Sequence, residues 1–382
     1  MTKTTLIENG TLYSPSGMQP DGWLLIRDGK IVDKGFGGAK PGKVERVLDA
    51  QGQWVLPGLV DLHIHGAGGF DASGKNLAGM QKVLPLHGIT SFLATSYVTP
   101  REVLEQTIRE MADVIHQQAF GAQIIGIHME GPWLAAKQHG AADPALCYAL
   151  TQADIEHYQQ LAGGHIRRIT FAPEEGNTMQ VIPWLRDHNI LPSIGHTDAT
   201  YEVTRQAIML GVNHATHVYN AMRGLHHREP GTVGAILDSD AIMAEIIADG
   251  HHVHPAMMRL LIQAKSPERV CLVSDAVLAA GMPDGEYPWG NLNLIVRDGT
   301  CRLADGTLAG SIMLINKMMQ VLVEKVGVSI QDAIHMASTS PARQLGLNKG
   351  VLDVGYDADV VVMEESYQPQ MTMIQGNVVY ES

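Results

Sequence analysis

Leu59-Val60-Asp61-Leu62-His63-Ile64-His65-Gly66 is the stretch on which the reading of the fold turns. Its apolar run predicts a strand. In an extended chain residues i and i+2 point to the same side, so His63 and His65 face one point. Two neutral imidazoles converging on a point begin a divalent-metal site. By itself such a pair fits packing or surface chemistry equally well, and the ends of the later strands decide between them.

Working outward, the segment 55–343 has a βα rhythm. Expected strands are 58–64, 90–96, 123–129, 167–171, 191–194, 214–216, 244–248 and 269–274. Helix-like stretches at 100–116, 152–161, 179–187, 199–210 and 254–264 lie between most of them. Such alternation predicts an α/β fold built on a (β/α)8 barrel. A doubly wound open sheet is the rival, but it favours a glycine-rich phosphate turn after the first strand, where this chain has His-Ile-His. Both ends of the chain read differently. Trp23-Leu24-Leu25-Ile26-Arg27 meets Lys30-Ile31-Val32 across Asp28-Gly29, a hairpin signal. Residues 358–363 and 373–380 repeat the style near the C-terminus. Neither end is long enough for a core of its own, so both are expected to pair into one small β-sandwich domain. The expected division is 1–54 and 344–382 for that domain and 55–343 for the barrel.

Composition bounds the function. The chain has 382 residues, 45% of them apolar, and a formal net charge of −13. That balance argues against nucleic acid or an anionic membrane as partner, since both want a basic face. An anionic small substrate would need a local cationic pocket. Cys147, Cys271 and Cys301 are widely spaced with no CxxC, which suits reduced thiols and a cytoplasmic location. No secretory leader follows Met1-Thr2-Lys3-Thr4-Thr5, and no stretch is apolar for long enough to span a bilayer.

In a barrel the strands' C-terminal ends surround one mouth, where the chemistry is built. Here the first strand ends in His63 and His65, the third in His128-Met129-Glu130-Gly131-Pro132, and the fifth in Gly195-His196. The sixth ends in Thr216-His217, the seventh in Asp249-Gly250-His251-His252, and the eighth in Ser274-Asp275. Singly, each has an ordinary explanation as a loop histidine, a turn or a cap. Together on one rim they predict a metal site. Histidine nitrogens with one carboxylate bind a borderline divalent ion and leave room for water, whose pKa the ion lowers. Asp275 is placed to take a proton from that water and return it to a leaving nitrogen. The combination hydrolyses amides or related C–N bonds.

This pattern resembles the amidohydrolase superfamily of (β/α)8 metal hydrolases. Many members carry a metal-bridging lysine at the end of strand four; Thr170-Phe171-Ala172-Pro173-Glu174 has none, and Glu130 is the natural substitute. The motifs His128-Met129-Glu130-Gly131-Pro132-Trp133, Gly195-His196-Thr197-Asp198-Ala199, Thr216-His217-Val218-Tyr219-Asn220-Ala221-Met222, Arg228-Glu229-Pro230-Gly231, Ala248-Asp249-Gly250-His251-His252, Val273-Ser274-Asp275-Ala276 and Leu308-Ala309-Gly310-Ser311 are similar to those of the N-acetylglucosamine-6-phosphate deacetylases, in the same order and along essentially the whole chain. The resemblance implies Glu130, His196 and His217 as ligands of a main metal and His63 and His65 as ligands of a second. It implies Asp275 as acid and base, and His252 near the reacting carbonyl. Asn220, Ala221, His227 and Arg228 would meet the sugar phosphate, with Leu308, Ala309 and Gly310 on the acetyl side. Zinc is the expected ion, one or two per subunit, although iron, manganese and cobalt suit the same donors. A homodimer whose partner subunit touches the phosphate is also implied.

Arg228 makes independent sense as an anchor, because its planar fork grips phosphate oxygens bidentately. A surface ion pair with Glu229 is its ordinary alternative. His226 and His227 stay open between phosphate, a neighbouring subunit and solvent. One departure concerns Lys137-Gln138-His139-Gly140-Ala141-Ala142. Ala142 stands where the family usually has a histidine facing the sugar, so Ala141 and Ala142 are expected to line the sugar subsite with one donor fewer. A lost donor can change epimer preference. N-acetylgalactosamine 6-phosphate is therefore an alternative substrate, which the runs 224–231 and 280–285 also favour. A cyclic amidohydrolase and a catalytically silent metal-bound sensor are the remoter alternatives.

Overall fold

The computed structural model describes residues 4–38, 41–42, 44–117, 120–290 and 292–382; Met1–Lys3, part of the expected N-terminal domain, lie outside them. Eight parallel strands run in chain order: Leu59–Ile64, Ile89–Ser96, Gln123–Glu130, Ile166–Phe171, Leu191–Ile194, His214–Ala215, Met243–Ile246 and Val270–Leu272, each paired with the next. The last closes on the first at the mouth, where Asp275 N donates to His63 O (2.8 Å) and His65 N donates to Ala276 O (2.8 Å). Every residue of the first two strands is buried, as expected for strands covered on both faces.

The covering helices form for local reasons. Arg101–Gln117 buries Leu104, Ile108 and Met111, an i, i+4, i+7 stripe. Gln152–Leu161 starts at a reciprocal cap between Thr151 and Asp154. Tyr201–Leu210 starts at Thr200, whose hydroxyl accepts from Val203 N, and stops at Gly211. Strands seven and eight end two residues earlier than the sequence predicts, at Ile246 and Leu272. Asp249 and Asp275 therefore lie just past the strands proper, at the mouth.

The chain's two ends meet in one sheet, in the order Asn377–Glu381, Pro369–Ile374, Val360–Met363, Trp54–Pro57, Thr4–Ser14, Gly17–Arg27, Lys30–Phe36, with Arg46–Asp49 pairing Thr4–Ser14. Trp54–Pro57 joins the N-terminal strands to the C-terminal ones, so residues 55–57, assigned to the barrel from sequence, pair with this sheet. The sheet curls on itself. Its hairpin turn at Asp28-Gly29 takes the Ala358 N–H on Gly29 O (2.8 Å), and Leu24, Ile26, Val360 and Met373 share a core.

A third element was not anticipated from sequence. After strand eight, Gly285–Trp289, Leu292–Arg297 and Thr300–Arg302 form a small antiparallel sheet. Its core of Trp289, Leu294 and Val296 packs with Val277, Leu278 and Ala309 beside the barrel mouth.

Candidate metal centre

The expected ligands come together from four loops and strands. His63 and His65 point the same way off the first strand, their Nε2 atoms 3.2 Å apart. Glu130, last residue of strand three, turns Oε2 to His65 Nε2 (3.1 Å) and Oε1 to His196 Nε2 (3.2 Å) and His217 Nε2 (3.0 Å). Asp275 Oδ1 lies 3.3 Å from His63 Nε2 and 3.2 Å from His65 Nε2. Two donor groups result, His63–His65–Glu130–Asp275 and Glu130–His196–His217, sharing Glu130. A tetrahedral ion with bonds of about 2.0–2.1 Å separates its ligands by about 3.3 Å, so these spacings are those of a coordination shell. The donor set fits one or two divalent ions.

Backbone conformation aims the side chains. His196 (φ 48°), His217 (φ 27°) and Asp275 (φ 47°) all lie at positive φ, which bulky residues adopt only under constraint. Each lies two or three residues past the end of its strand, and the left-handed backbone swings its side chain off the strand's alternation and over the mouth. The other ring nitrogens are fixed where partners exist. His196 Nδ1 donates to Gln138 O (2.8 Å), and His63 Nδ1 meets Glu245 Oε2 (3.3 Å).

Electrostatically the cluster sets two buried carboxylates, Glu130 and Asp275, against its imidazoles. Burial alone would lower the pKa of His63, but the Glu130 and Asp275 carboxylates outweigh it and hold the pKa well above the usual imidazole value. Burial would raise Glu130, yet His63 and the hydrogen bonds of His196 and His217 hold it well below the carboxylate range. Protons on the imidazoles and a divalent cation are alternative ways of meeting that charge. Beside the cluster, His252 Nδ1 donates to Asp249 Oδ2 (2.7 Å). Burial works against the His252 imidazolium, but Asp249 overcomes it and raises the pKa; Asp249 itself is drawn down to about 2 against its own burial, chiefly by His252.

A cavity of about 330 Å³ opens onto the cluster. Of the residues expected to meet substrate, Ala141, Ala142, Asn220, Ala221, His252, Leu308, Ala309 and Gly310 line it. His227 and Arg228 do not: both are exposed on the loop after Met222, outside the lining of the single chain. No lysine or arginine is among the lining residues described. Arg223, the nearest loop arginine in sequence, is spent on Asp198 (2.8 Å), which also takes Lys137 (2.6 Å) and ties the loops of strands three, five and six together.

Several cavity residues escaped the sequence reading. Tyr97 and Trp289 pack at a 40° tilt with ring centroids 4.2 Å apart, and Trp289 lies edge-on to His65 at 5.8 Å. Trp289 comes from the unanticipated sheet, whose Asp298-Gly299 turn carries the same hairpin signal as Asp28-Gly29. His139 also lines the cavity, its Nδ1 on Ala142 O (2.7 Å), which places an imidazole beside the alanine noted above. Arg168 and Glu245, in strands four and seven, had no distinguishing motif at all.

Comparison with known proteins agrees with the geometry. Residues 54–379 match the amidohydrolase family. The chain is 36% identical to the N-acetylglucosamine-6-phosphate deacetylase of Bacillus subtilis, over 100% of this chain and 98% of that one. It is 35% identical to the N-acetylgalactosamine-6-phosphate deacetylase of Escherichia coli O157:H7, covering 94% of this chain and 96% of that one. Among solved structures, a mutant N-acetyl-D-glucosamine-6-phosphate deacetylase from Mycobacterium smegmatis in complex with N-acetyl-D-glucosamine-6-phosphate superposes with a TM-score of 0.91. It shares 32% identity and covers 99% of both chains.

Proposed function

From the premise that the chain belongs to the amidohydrolase family, we propose that it removes the acetyl group of N-acetyl-D-glucosamine 6-phosphate by hydrolysis, giving glucosamine 6-phosphate and acetate. The single observation that carries this is the Glu130-centred donor cluster with Asp275 against it, at the floor of a cavity large enough for a sugar.

A divalent ion held by His63, His65, Glu130, His196 and His217 would supply an acidified water and Lewis-acid polarisation of the acyl oxygen. Zinc is the reading that these nitrogen and oxygen donors favour, with one or two ions per subunit. Asp275 takes the proton from the attacking water and hands it to the amine as the C–N bond breaks. The His252 imidazolium, kept charged by Asp249, donates to the carbonyl oxygen as negative charge develops there. Leu308, Ala309 and Trp289 enclose the acyl side and exclude bulk water. Asn220 and Ala221 support the sugar. A phosphate dianion calls for a lysine or arginine, and the described lining of the single chain's cavity holds neither, which supports a homodimer in which the partner's Arg228, with the partner's His227, reaches the phosphate. The three thiols, none in a disulfide, suit a cytoplasmic enzyme.

The N-acetylgalactosamine epimer is the second reading, because Ala142 and His139 alter the polar lining of the sugar subsite. The test is kcat/KM for both phosphorylated epimers on metal-replete protein, with the unphosphorylated sugars and the Asp275→Asn variant as controls. The expected result is a preference for the phosphorylated gluco epimer, and an Asn variant that keeps its metal yet loses several orders of magnitude in turnover. A preference for the galacto epimer would hand the substrate to the second reading. Equal, weak activity on all four sugars would refute both.

A further inference from the structure

The interior of the barrel beneath the metal cluster is not the usual layering of branched aliphatics. It is a polar network in which Arg168 and Glu245 are completely buried. Arg168 pairs with Glu245 Oε1 and donates to Leu62 O (3.1 Å), Ser193 Oγ (3.2 Å) and Thr216 Oγ1 (2.8 Å). His214 Nε2 also meets Glu245 Oε1 (3.1 Å). The other oxygen of Glu245 faces the metal cluster. Oε2 accepts from His63 Nδ1 (3.3 Å) and from the backbone N–H of His217 (3.1 Å), while Glu245 O accepts from Val218 N (3.0 Å).

One carboxylate thus touches a ligand from each donor group. Toward His63 it acts on the tautomer: an ionised carboxylate only accepts, so it puts the proton on Nδ1 and leaves the Nε2 lone pair facing Glu130 and Asp275. Toward His217 it acts on the backbone, holding a residue whose φ of 27° is costly without such support. Arg168 neutralises the carboxylate and, through Leu62 O and Thr216, braces the residues next to both ligands.

We propose that Glu245, neutralised by Arg168, is a positioning residue that sets the geometry of both metal subsites from beneath. It rests on the metal-dependent reading of the site. Its test reads metal binding rather than turnover, so the two can fail separately.

Zinc affinity of metal-stripped protein is measured by competition with a chelator for wild type, Glu245→Gln and Ser193→Ala. Ser193→Ala removes a hydrogen bond from the same network without touching a ligand. Glu245→Gln is expected to bind zinc about 10- to 100-fold more weakly, the usual cost of losing a ligand's carboxylate partner. Ser193→Ala is expected to lower the melting temperature and leave the affinity unchanged. Equal affinity in wild type and Glu245→Gln overturns the proposal, as does an equal loss in Ser193→Ala, which would mean a merely structural role. Should Glu245→Gln fail to fold, 15N NMR of zinc-loaded wild type decides: a proton on His63 Nδ1 is required, and its absence overturns the proposal. A wild type that binds zinc but deacetylates no amino-sugar phosphate refutes the proposed function and leaves this inference standing.

Discussion

At the scale of single residues, charge at the mouth is maintained by partners rather than by exposure. His252 is nearly enclosed, and burial disfavours its imidazolium; the Asp249 carboxylate at 2.7 Å reverses the balance. Because the His252 pKa is raised, its proton persists to higher pH than in a free imidazole, and the donor is lost only as pH climbs through that raised value. Asp249→Asn removes the cause, so the basic limb of the kcat/KM–pH profile should move to lower pH. A pH series on the two proteins checks this. An unmoved limb would mean that His252 does not donate in the rate-determining step.

Elements position these residues through close backbone contact, and glycine makes the closest contact possible. Gly66 follows His65 directly and passes the turn after strand eight. A Cβ built on it would lie 2.6 Å from Leu278 Cα and 2.6 Å from Phe70 O, both backbone atoms that cannot rotate aside. Gly66 N also donates to Ala276 O (2.9 Å), one of the bonds that closes the barrel. Gly66→Ala should therefore cost about 1–3 kcal/mol, as overpacking does. It should also weaken zinc binding, since pushing strands one and eight apart separates His65 from Asp275. Urea melts and metal content measured together test it. A variant that is destabilised but binds zinc normally would show that the seam and the ligand geometry are uncoupled.

For the whole molecule the open question of charge becomes one of assembly. An acidic chain of net charge −13 is to bind a phosphate dianion, yet the cavity's described lining holds no lysine or arginine. Arg228 is exposed on a loop outside it. If a second subunit brings that arginine to the phosphate, Arg228→Ala should raise KM for the phosphorylated sugar about 10- to 100-fold. That is the worth of about one charge-assisted hydrogen bond. The unphosphorylated sugar should be unaffected. Light scattering should give twice the chain mass for both proteins. A monomeric wild type with full activity would remove the partner from the site.

The sequence by itself determined the architecture and which residues stand at the strand ends around the mouth, because both rest on local signals. Alternation after His63-Ile64-His65, the βα rhythm and the Asp28-Gly29 hairpin follow from side-chain periodicity and turn chemistry, which neighbouring residues carry whatever surrounds them. Strand ends are legible for the same reason, so His196, His217, His252 and Asp275 could be named before any contact was seen. Only the tertiary structure decided what those residues lean on. Arg168 and Glu245 look like any charged residues within a strand; that both are buried, paired and set beneath the cluster of His63 and His217 depends on strands four and seven facing across a closed barrel. Trp289 became a wall of the cavity because a small sheet after strand eight folds back over the mouth. Likewise Arg228 carries the chemistry of a phosphate ligand in its sequence, but its distance from the cavity is a property of the folded chain. Long-range packing brings together residues whose separation in sequence holds no trace of their contact.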